Sequence, residues 1–494
     1  MTRRALWVAV CCAVLAALLP AVASAAPSRH SDTHVQLLAI NDLHGHLAPN
    51  TPGTIQVGCC NPVMSGGVQT GWTQKTVPAG GVAYLATHIK ALRATNSNTI
   101  TVGAGDLIGA SPLVSALFHD EPTIEAMNSI GLDVSGVGNH EFDEGVDELH
   151  RMQYGNQLGG DGCHPIDGCQ DGTPFAGSIF QYLAANVFYA GTNTTILPPY
   201  EVHKVGNAKI AFIGLTFEGT PTVVTPSGVA GLEFRPEIAT TNALVDELRR
   251  QQGVKAFVVL LHQGGAQRPP APPASPATTP AGDEYTDVNR CVNFNGPEMD
   301  AIAQGLDPRV RVIISAHTHQ PYICTIAGKL VTSAASFGRL ITDVDLTIDH
   351  QSKAITAATA TNRIVTQDVA QDPAAQAILD KYTTLSAPLA NRVVGSITAD
   401  IVRDNRPNGE SPLGDVIADA QLAYTPAGQA QIALMNPGGI RASLSYLPSG
   451  ITLAALAEVL RPLLDLEIER VLVSHGDPVL SGGREALEGA LRLV

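Results

Sequence analysis

The sequence predicts a layered α/β domain followed by a second, smaller α/β segment. Three observations carry this reading. Short apolar, β-branched runs recur through the first two-thirds of the chain, as buried strands do. Helical patterns lie between several of them, and strands alternating with helices indicate helices packed on a sheet. At 494 residues the chain is too long for one ordinary hydrophobic core, so two domains are expected.

Taken in order, the first element is a targeting segment. Arg3 and Arg4 precede an uncharged apolar stretch over 5–19, and Ala23-Ser24-Ala25 has the small-x-small form of a cleavage site. A secretory signal peptide over 1–25 is expected, since the apolar run is short for a membrane span. Strands are expected over 35–40, 99–102, 211–215, 256–261 and 310–315. A helix is expected over 81–95, where Leu85, Ile89 and Leu92 share a face, and another over 146–152. Residues 268–280, rich in Pro, Ala, Ser and Thr, read as a surface loop. Residues 343–348 alternate apolar and polar, as a strand at a sheet edge or with one exposed face does. Asp372-Pro373, followed by Ile378, Leu379 and Tyr382, reads as a capped helix. The expected organisation is therefore a domain over 33–365, a linker helix over 370–392, a partial second domain over 393–462 and an atypical tail over 463–494.

Apolar residues make up 45% and charged residues 15% of the chain, which is globular composition rather than disorder. A net charge of -15 argues against nucleic acid or an anionic membrane as the main partner. Cys11 and Cys12 belong to the signal segment. Six cysteines remain, an even number that suggests disulfides in an exported chain. Their spacing matches no zinc finger, and fifteen pairings are possible. Cys163 with Cys169 closes a short loop, and Cys291 with Cys324 would bracket the strand at 310–315 and the motif after it. Cys59 and Cys60 are left unassigned, and a structural role is the simpler reading for both. Asn193-Thr194-Thr195 is a glycosylation sequon.

Five expected strands or turns end in clusters of ligand-type side chains. They are Asn41-Asp42-Leu43-His44-Gly45-His46, Gly103-Ala104-Gly105-Asp106, Gly138-Asn139-His140-Glu141-Phe142-Asp143, His262-Gln263-Gly264-Gly265 and Ala316-His317-Thr318-His319. A single Asp-x-His in a loop is ordinary polar surface. Five such clusters at strand ends of one chain are a different matter, because open α/β sheets bind ligands outside the carboxyl ends of their strands. Glycines beside the ligands allow sharp turns and close approach. Asp, Asn and His together suit zinc, manganese or iron. His46 reads as a supporting or surface residue, and His88, within a helical pattern, as solvated.

In this order the five blocks resemble the calcineurin-like metallophosphoesterases, and most closely the secreted 5'-nucleotidase and UDP-sugar hydrolase group. The resemblance runs from about residue 35 to 348 and resumes over 394–441. It implies a four-layer α/β sandwich and two divalent metal ions, zinc or manganese. Asp42, His44 and His319 would hold the first ion, Asn139, His262 and His317 the second, and Asp106 would bridge them. His140 resembles the family's catalytic histidine, with Asp143 orienting it.

In the second segment, Glu410-Ser411-Pro412-Leu413-Gly414-Asp415 and Asn436-Pro437-Gly438-Gly439-Ile440-Arg441 resemble the 5'-nucleotidase C-terminal substrate domain. The resemblance implies that Arg441 binds phosphate and Asn436 meets the base, with Arg406 a weaker phosphate contact. A plain glycine-rich loop is the bland reading of the second block. After residue 451 the family pattern stops, and the aromatic pair that stacks on the base in relatives does not follow. Val471-Leu472-Val473-Ser474-His475-Gly476-Asp477-Pro478 instead resembles the end of metallo-β-lactamase-fold hydrolases. His475 and Asp477 have the form of a metal motif without the rest of such a site.

The resemblance implies a secreted or periplasmic monomer that removes phosphate from nucleoside 5'-monophosphates and, once its signal is cut, has no membrane partner. UDP-sugars and 2',3'-cyclic nucleotides are alternative substrates. A non-catalytic protein that binds nucleotide or metal is the alternative from another class.

Overall fold

A computed structural model describes residues 31–49, 53–267, 287–403, 411–424, 433 and 443–460. The signal segment, the loop at 268–280, Arg406, Asn436, Arg441 and the 463–494 tail lie outside the described residues.

Two six-stranded sheets stack face to face. The first contains β1 (Thr33–Ile40), β4 (Thr99–Ala104), β5 (Val134–Gly136), β6 (Gln181–Leu183), β15 (Leu340–Ile348) and β16 (Ile355–Ile364), in the order β16-β15-β1-β4-β5-β6. The second contains β8 (Tyr200–Val205), β9 (Ala208–Thr216), β11 (Ala256–His262), β12 (Val310–Ser315), β13 (Pro321–Ile326) and β14 (Lys329–Ala334), in the order β13-β14-β12-β11-β9-β8. Outside them lie a hairpin of β2 (Thr54–Ser65) with β3 (Val68–Pro78) and a short pair of β7 (Val187–Tyr189) with β10 (Leu232–Phe234). β1, β4, β5 and β6 run parallel to one another, as do β9, β11, β12 and β14. β15 and β16 add antiparallel strands to the first sheet, and β8 and β13 form antiparallel edges of the second.

The central strands are apolar at nearly every position because both of their faces are buried. Along β1, Leu38 and Ile40 point to the helices Val82–Arg93 and Glu121–Ile130, while Val35, Leu37 and Ala39 point into the seam between the sheets. Along β11, Ala256, Val258 and Leu260 fill the same seam, while Phe257, Val259 and Leu261 face the helices Glu237–Gln252 and Pro297–Gly305. Successive side chains on a strand point to opposite faces, so each strand feeds two cores. The result is helix, sheet, sheet, helix: the four layers that the resemblance implies.

The five strands read from the sequence are present, each unchanged or extended by one to three residues at an end. The helix read over 81–95 is slightly shorter, Val82–Arg93, and the one read over 146–152 slightly longer, Val146–Tyr154. The alternating run at 343–348 lies in β15, which pairs on both sides, so of the two alternatives it is the strand with one exposed face and not the edge. Its alternation reflects exposure of Asp345 and partial exposure of Thr347 on one face. His88 is half-buried rather than solvated, and its Nε2 lies 3.1 Å from the Thr366 carbonyl. The helix read as a linker, Pro373–Ala390, is packed on the first domain: Tyr382 is buried against Phe118 and donates to Glu125 at 2.8 Å. Its cap is as read, with the Asp372 side chain accepting the Ala375 N–H at 3.1 Å. The β2–β3 hairpin had no counterpart among the patterns read from the sequence.

Both expected disulfides are formed, Cys163–Cys169 and Cys291–Cys324. Of the second segment, the helices Pro412–Tyr424 and Leu453–Leu460 are described, and Leu413, Ile417, Leu444 and Ile451 make a small core of their own.

Candidate metal centre

The carboxyl ends of β1, β4 and β5 in one sheet and of β11 and β12 in the other meet at a single cluster. It gathers all seven residues that the resemblance implies as ligands. Asp42, His44 and His319 offer donor atoms within 4.8 Å of one another, and so do Asp106, His262 and His317. Asn139 joins the second group through its Oδ1, 3.1 Å from His262 Nε2. Asp106 belongs to both neighbourhoods, with its Oδ2 2.9 Å from His262 Nε2 and 3.7 Å from His44 Nε2.

Backbone geometry concentrates here. Asp42, His44, Asp106, His317 and His319 all have φ between 48° and 73°, the left-handed region that non-glycine residues rarely occupy. Such conformations cost about 1–3 kcal/mol each and persist where the surroundings over-determine them, commonly at functional sites. Gly138 is required for packing, since a Cβ there would overlap the Asp106 carboxylate.

The imidazoles are aimed by their outer nitrogens. His44 Nδ1 donates to the Gly109 carbonyl at 3.0 Å and His262 Nδ1 to the Ala104 carbonyl at 2.8 Å. This fixes the tautomer that turns Nε2 inward, as is usual for histidines that bind metal. His44 Nε2 and His319 Nε2 converge to 3.0 Å.

The charges also fit a cationic occupant. Asp42 and Asp106 are buried, and among the described residues their ion pairs are to histidines. Burial works to raise the Asp106 pKa, but the flanking His262 and His140 outweigh it and hold the carboxyl well below its usual range. Burial likewise lowers His262, yet the Asp106 charge pushes it up to about 9. The carboxylates thus demand positive charge at His262 Nε2, which a cation would supply there in place of a proton. His44 and His317 are driven the other way by burial, His317 to about 4, and remain neutral lone-pair donors. Two buried carboxylates, four imidazoles and an amide oxygen form a donor set suited to divalent metals of intermediate hardness.

His140 sits beside this set. Its ring centroid is 5.0 Å from that of His44, and its Nδ1 lies 2.8 Å from Asp143 Oδ2. It also falls within 4.8 Å of His44 and Asp106 donors.

Two supporting residues were not read from the sequence. Phe337 faces the His46 ring at 4.0 Å and donates its N–H to the Asp42 carbonyl at 2.7 Å. His46 is accordingly buried rather than on the surface. Glu141 is also buried, and it accepts the backbone N–H groups of Asp106 and Leu107 at 2.8 Å and of Gly138 at 2.5 Å. One carboxylate therefore ties the β4 loop to the β5 loop. Burial and the nearby Asp106 charge push its pKa up to about 7, against the pull of these N–H donors. The only hint in the sequence was a further carboxyl-type residue within the Asn139–Asp143 block. Glu141→Gln replaces one acceptor oxygen by an NH₂ group and leaves backbone donors poorly paired. Loss of such supporting partners weakens metal affinity by about 10–100-fold, so zinc or manganese titration of a folded variant should show that shift. Unchanged affinity would mean that the loops are held by other contacts.

Residues 35–321 match the calcineurin-like phosphoesterase family, and residues 393–462 match the 5'-nucleotidase C-terminal domain. The chain is 34% identical over 424 residues to Endonuclease YhcR of Bacillus subtilis (strain 168), covering 86% of this chain and 30% of that protein. It is 30% identical over 440 residues to Cell wall protein Lmo0130 of Listeria monocytogenes, covering 83% of this chain and 50% of that protein. The chain thus spans half the length or less of these two relatives. The solved structure of a 5'-nucleotidase precursor from Thermus thermophilus superposes with a TM-score of 0.60 at 23% identity, covering 87% of this chain and 74% of the other. At that identity the likeness is one of fold.

Proposed function

We propose, because this chain belongs to the calcineurin-like phosphoesterase family, that it hydrolyses phosphate esters and that nucleoside 5'-monophosphates are its main substrates. The observation that carries the reading is the seven-residue donor cluster shared between two sheets, with the His140–Asp143 pair at its rim. In this reading Asp42, His44 and His319 would hold one divalent cation and Asn139, His262 and His317 the other, with Asp106 available to both groups. Zinc or manganese suits the donors. Such a pair supplies positive charge against phosphoryl oxygens and lowers the pKa of water.

The rest is done by the chain. Asp143 accepts the Nδ1–H of His140 and orients its ring, and Nε2, when it carries a proton, would donate to the phosphoryl group or pass that proton to the leaving oxygen. Arg441 holds phosphate and Asn436 meets the base, with Arg406 a further phosphate contact. The signal segment directs export, and the protein acts as a monomer outside the cytoplasm. Among the described residues no helix is long and apolar enough to cross a membrane.

A second reading, cleavage of phosphodiesters, is favoured by the 34% identity to a protein named an endonuclease. UDP-sugars and 2',3'-cyclic nucleotides fall within the same chemistry. No Phe or Trp follows Phe337 in the sequence, and the last Tyr is Tyr446. Base–aromatic stacking supplies about 1–3 kcal/mol per base, roughly a ten- to hundredfold effect on binding. If no aromatic side chain stacks on the base, AMP, CMP and p-nitrophenyl phosphate should give kcat/KM values within about tenfold of one another. A strong preference for AMP would mean that other residues rebuild the base pocket. Faster turnover of the bis-p-nitrophenyl ester would favour the phosphodiesterase reading, and no phosphate release from AMP would leave the nucleotidase reading without support.

A further inference from the structure

Among the described residues the donor cluster is open on one side. The side chains of His319 and His140 are 26% and 13% exposed, against 3% or less for Asp42, His44, Asp106 and His262. His317 is half-buried as well. A phosphoryl group therefore enters past His140, His317 and His319, and whatever is esterified to it points back out the same way. Two phenylalanine rings stand at that side, Phe337 at 5.3 Å from the His319 ring and Phe217 at 5.6 Å from the His317 ring. Phe337 is already engaged, with the His46 ring at 4.0 Å and the Arg339 guanidinium 5.0 Å from its centroid. Phe217 is a different case.

We infer, on the reading of this chain as a phosphoesterase, that Phe217 determines specificity: its ring is the surface on which a flat leaving group, an aryl ring or a nucleobase, stacks. A lone exposed apolar side chain is ordinary on a protein surface. Phe217 is set apart by where and how it is held. It is half-buried, yet it belongs to none of the hydrophobic cores of the described residues. It directly follows Thr216, the last residue of β9, which lies in register with His262 at the end of β11. The backbone is pinned on both sides of it. The Thr216 N–H donates to Asn186 Oδ1 at 2.9 Å, and the Thr216 hydroxyl to the Val137 carbonyl at 3.0 Å. The Phe217 carbonyl accepts the Thr220 N–H at 3.0 Å and the Thr220 hydroxyl at 2.7 Å, and the Glu218 N–H donates to Glu237 Oε1 at 2.8 Å. Gly219 packs directly against the ring, where a Cβ would overlap it.

This anchoring matters for recognition, because a ring fixed before the ligand arrives loses little freedom on binding. Its plane is inclined by 31° to the His317 imidazole, so the two rings are adjoining, gently angled faces that lead away from the donors. Stacking tolerates any base, since every base has a π-face. Phe217 thus favours ring-bearing esters over alkyl esters without choosing among bases. It also places in the first domain an aromatic face of the kind that the second segment lacks, where no Phe or Trp follows Phe337.

The test measures binding rather than turnover. The zinc-loaded full chain is titrated calorimetrically with benzylphosphonate, whose CH₂ stands in for the ester oxygen of an aryl phosphate, and with methylphosphonate, which has no ring. We expect the wild type to bind benzylphosphonate the more tightly. Phe217→Ala should weaken benzylphosphonate about tenfold and leave methylphosphonate within about twofold. Phe217→Leu, which keeps apolar bulk without a flat face, should lose part of the same preference, and it decides the matter if Phe217→Ala does not fold. Equal affinity of the wild type for the two phosphonates, equal weakening of both in the variants, or a benzyl preference that survives the substitutions would overturn the role of Phe217. Release of phosphate from p-nitrophenyl phosphate by the wild type is followed separately, and its absence would remove the phosphoesterase reading whatever the phosphonates show.

Discussion

Asp106→Ala should lower kcat/KM by about 10³-fold or more, which is about 4 kcal/mol at 1.36 kcal/mol per tenfold, and should strip metal from both halves of the centre. Among the described residues, Asp106 is the carboxylate that falls in both donor groups. Removing it leaves three separate defects. His262 loses the charge that pushes it up to about 9. The His140 N–H loses the oxygen it donates to at 2.9 Å. The donors around His44 and around His262 lose the group they share. A bound cation contributes several kcal/mol of charge stabilisation to the transition state, so loss of either ion suffices for the expected deficit. Asp106→Asn, which preserves volume and an acceptor oxygen, controls for folding. Elemental analysis beside kcat/KM checks the assignment: two ions and near-normal rates in Asp106→Ala would show that Asp106 does not join the two halves.

His140→Ala separates a different role. General acid–base groups contribute on the order of 10²–10⁴-fold, and we expect a loss in that range with metal content unchanged. The reason lies in the commitments of the ring. Its Nδ1 is taken by Asp143 at 2.8 Å, which assigns the chemistry to Nε2, and the seven other residues already form a full donor set. Asp143→Asn should reproduce part of the loss by disturbing the tautomer. The opposing outcome is clear, because His140 also lies within 4.8 Å of His44 and Asp106 donors. If His140→Ala loses a metal ion along with its rate, the histidine is a ligand and the division of labour proposed above is wrong.

Much of this site was legible because its residues combine two signals that each survive in one dimension. Runs such as 256–261 are apolar at every position, since the strand is buried on both faces, and the residue that ends the run, His262, is polar and fully buried. A polar ligand-type residue directly after a buried strand is a local pattern. Glu141 was less legible because its function lies in the three N–H groups it accepts, two of them about 35 residues away, and no pattern of side chains encodes where backbone donors converge. Phe337 escaped for a similar reason, since its contact with His46 joins segments that meet only through the tertiary fold. The alternation at 343–348 showed one exposed face but could not show whether another strand, β16, lay alongside.

The docking of the two sheets has a consequence for the order in which the protein is assembled. Asp42, His44, Asp106 and Asn139 follow strands of the first sheet, while His262 ends a strand of the second and His317 and His319 follow another. His44 and His319, whose inner nitrogens touch, are 275 residues apart. Neither half of the chain holds a complete donor set, so tight affinity cannot arise until the second sheet has formed and closed on the first. During synthesis the emerging chain passes through a long interval in which it offers only scattered, weak ligands. Cofactor acquisition is then a late event that follows tertiary closure, and its binding energy falls on the closed state alone. An ion held there would serve as a latch on a finished structure rather than a seed for folding, and the protein would sample the metals of the compartment in which it finishes folding.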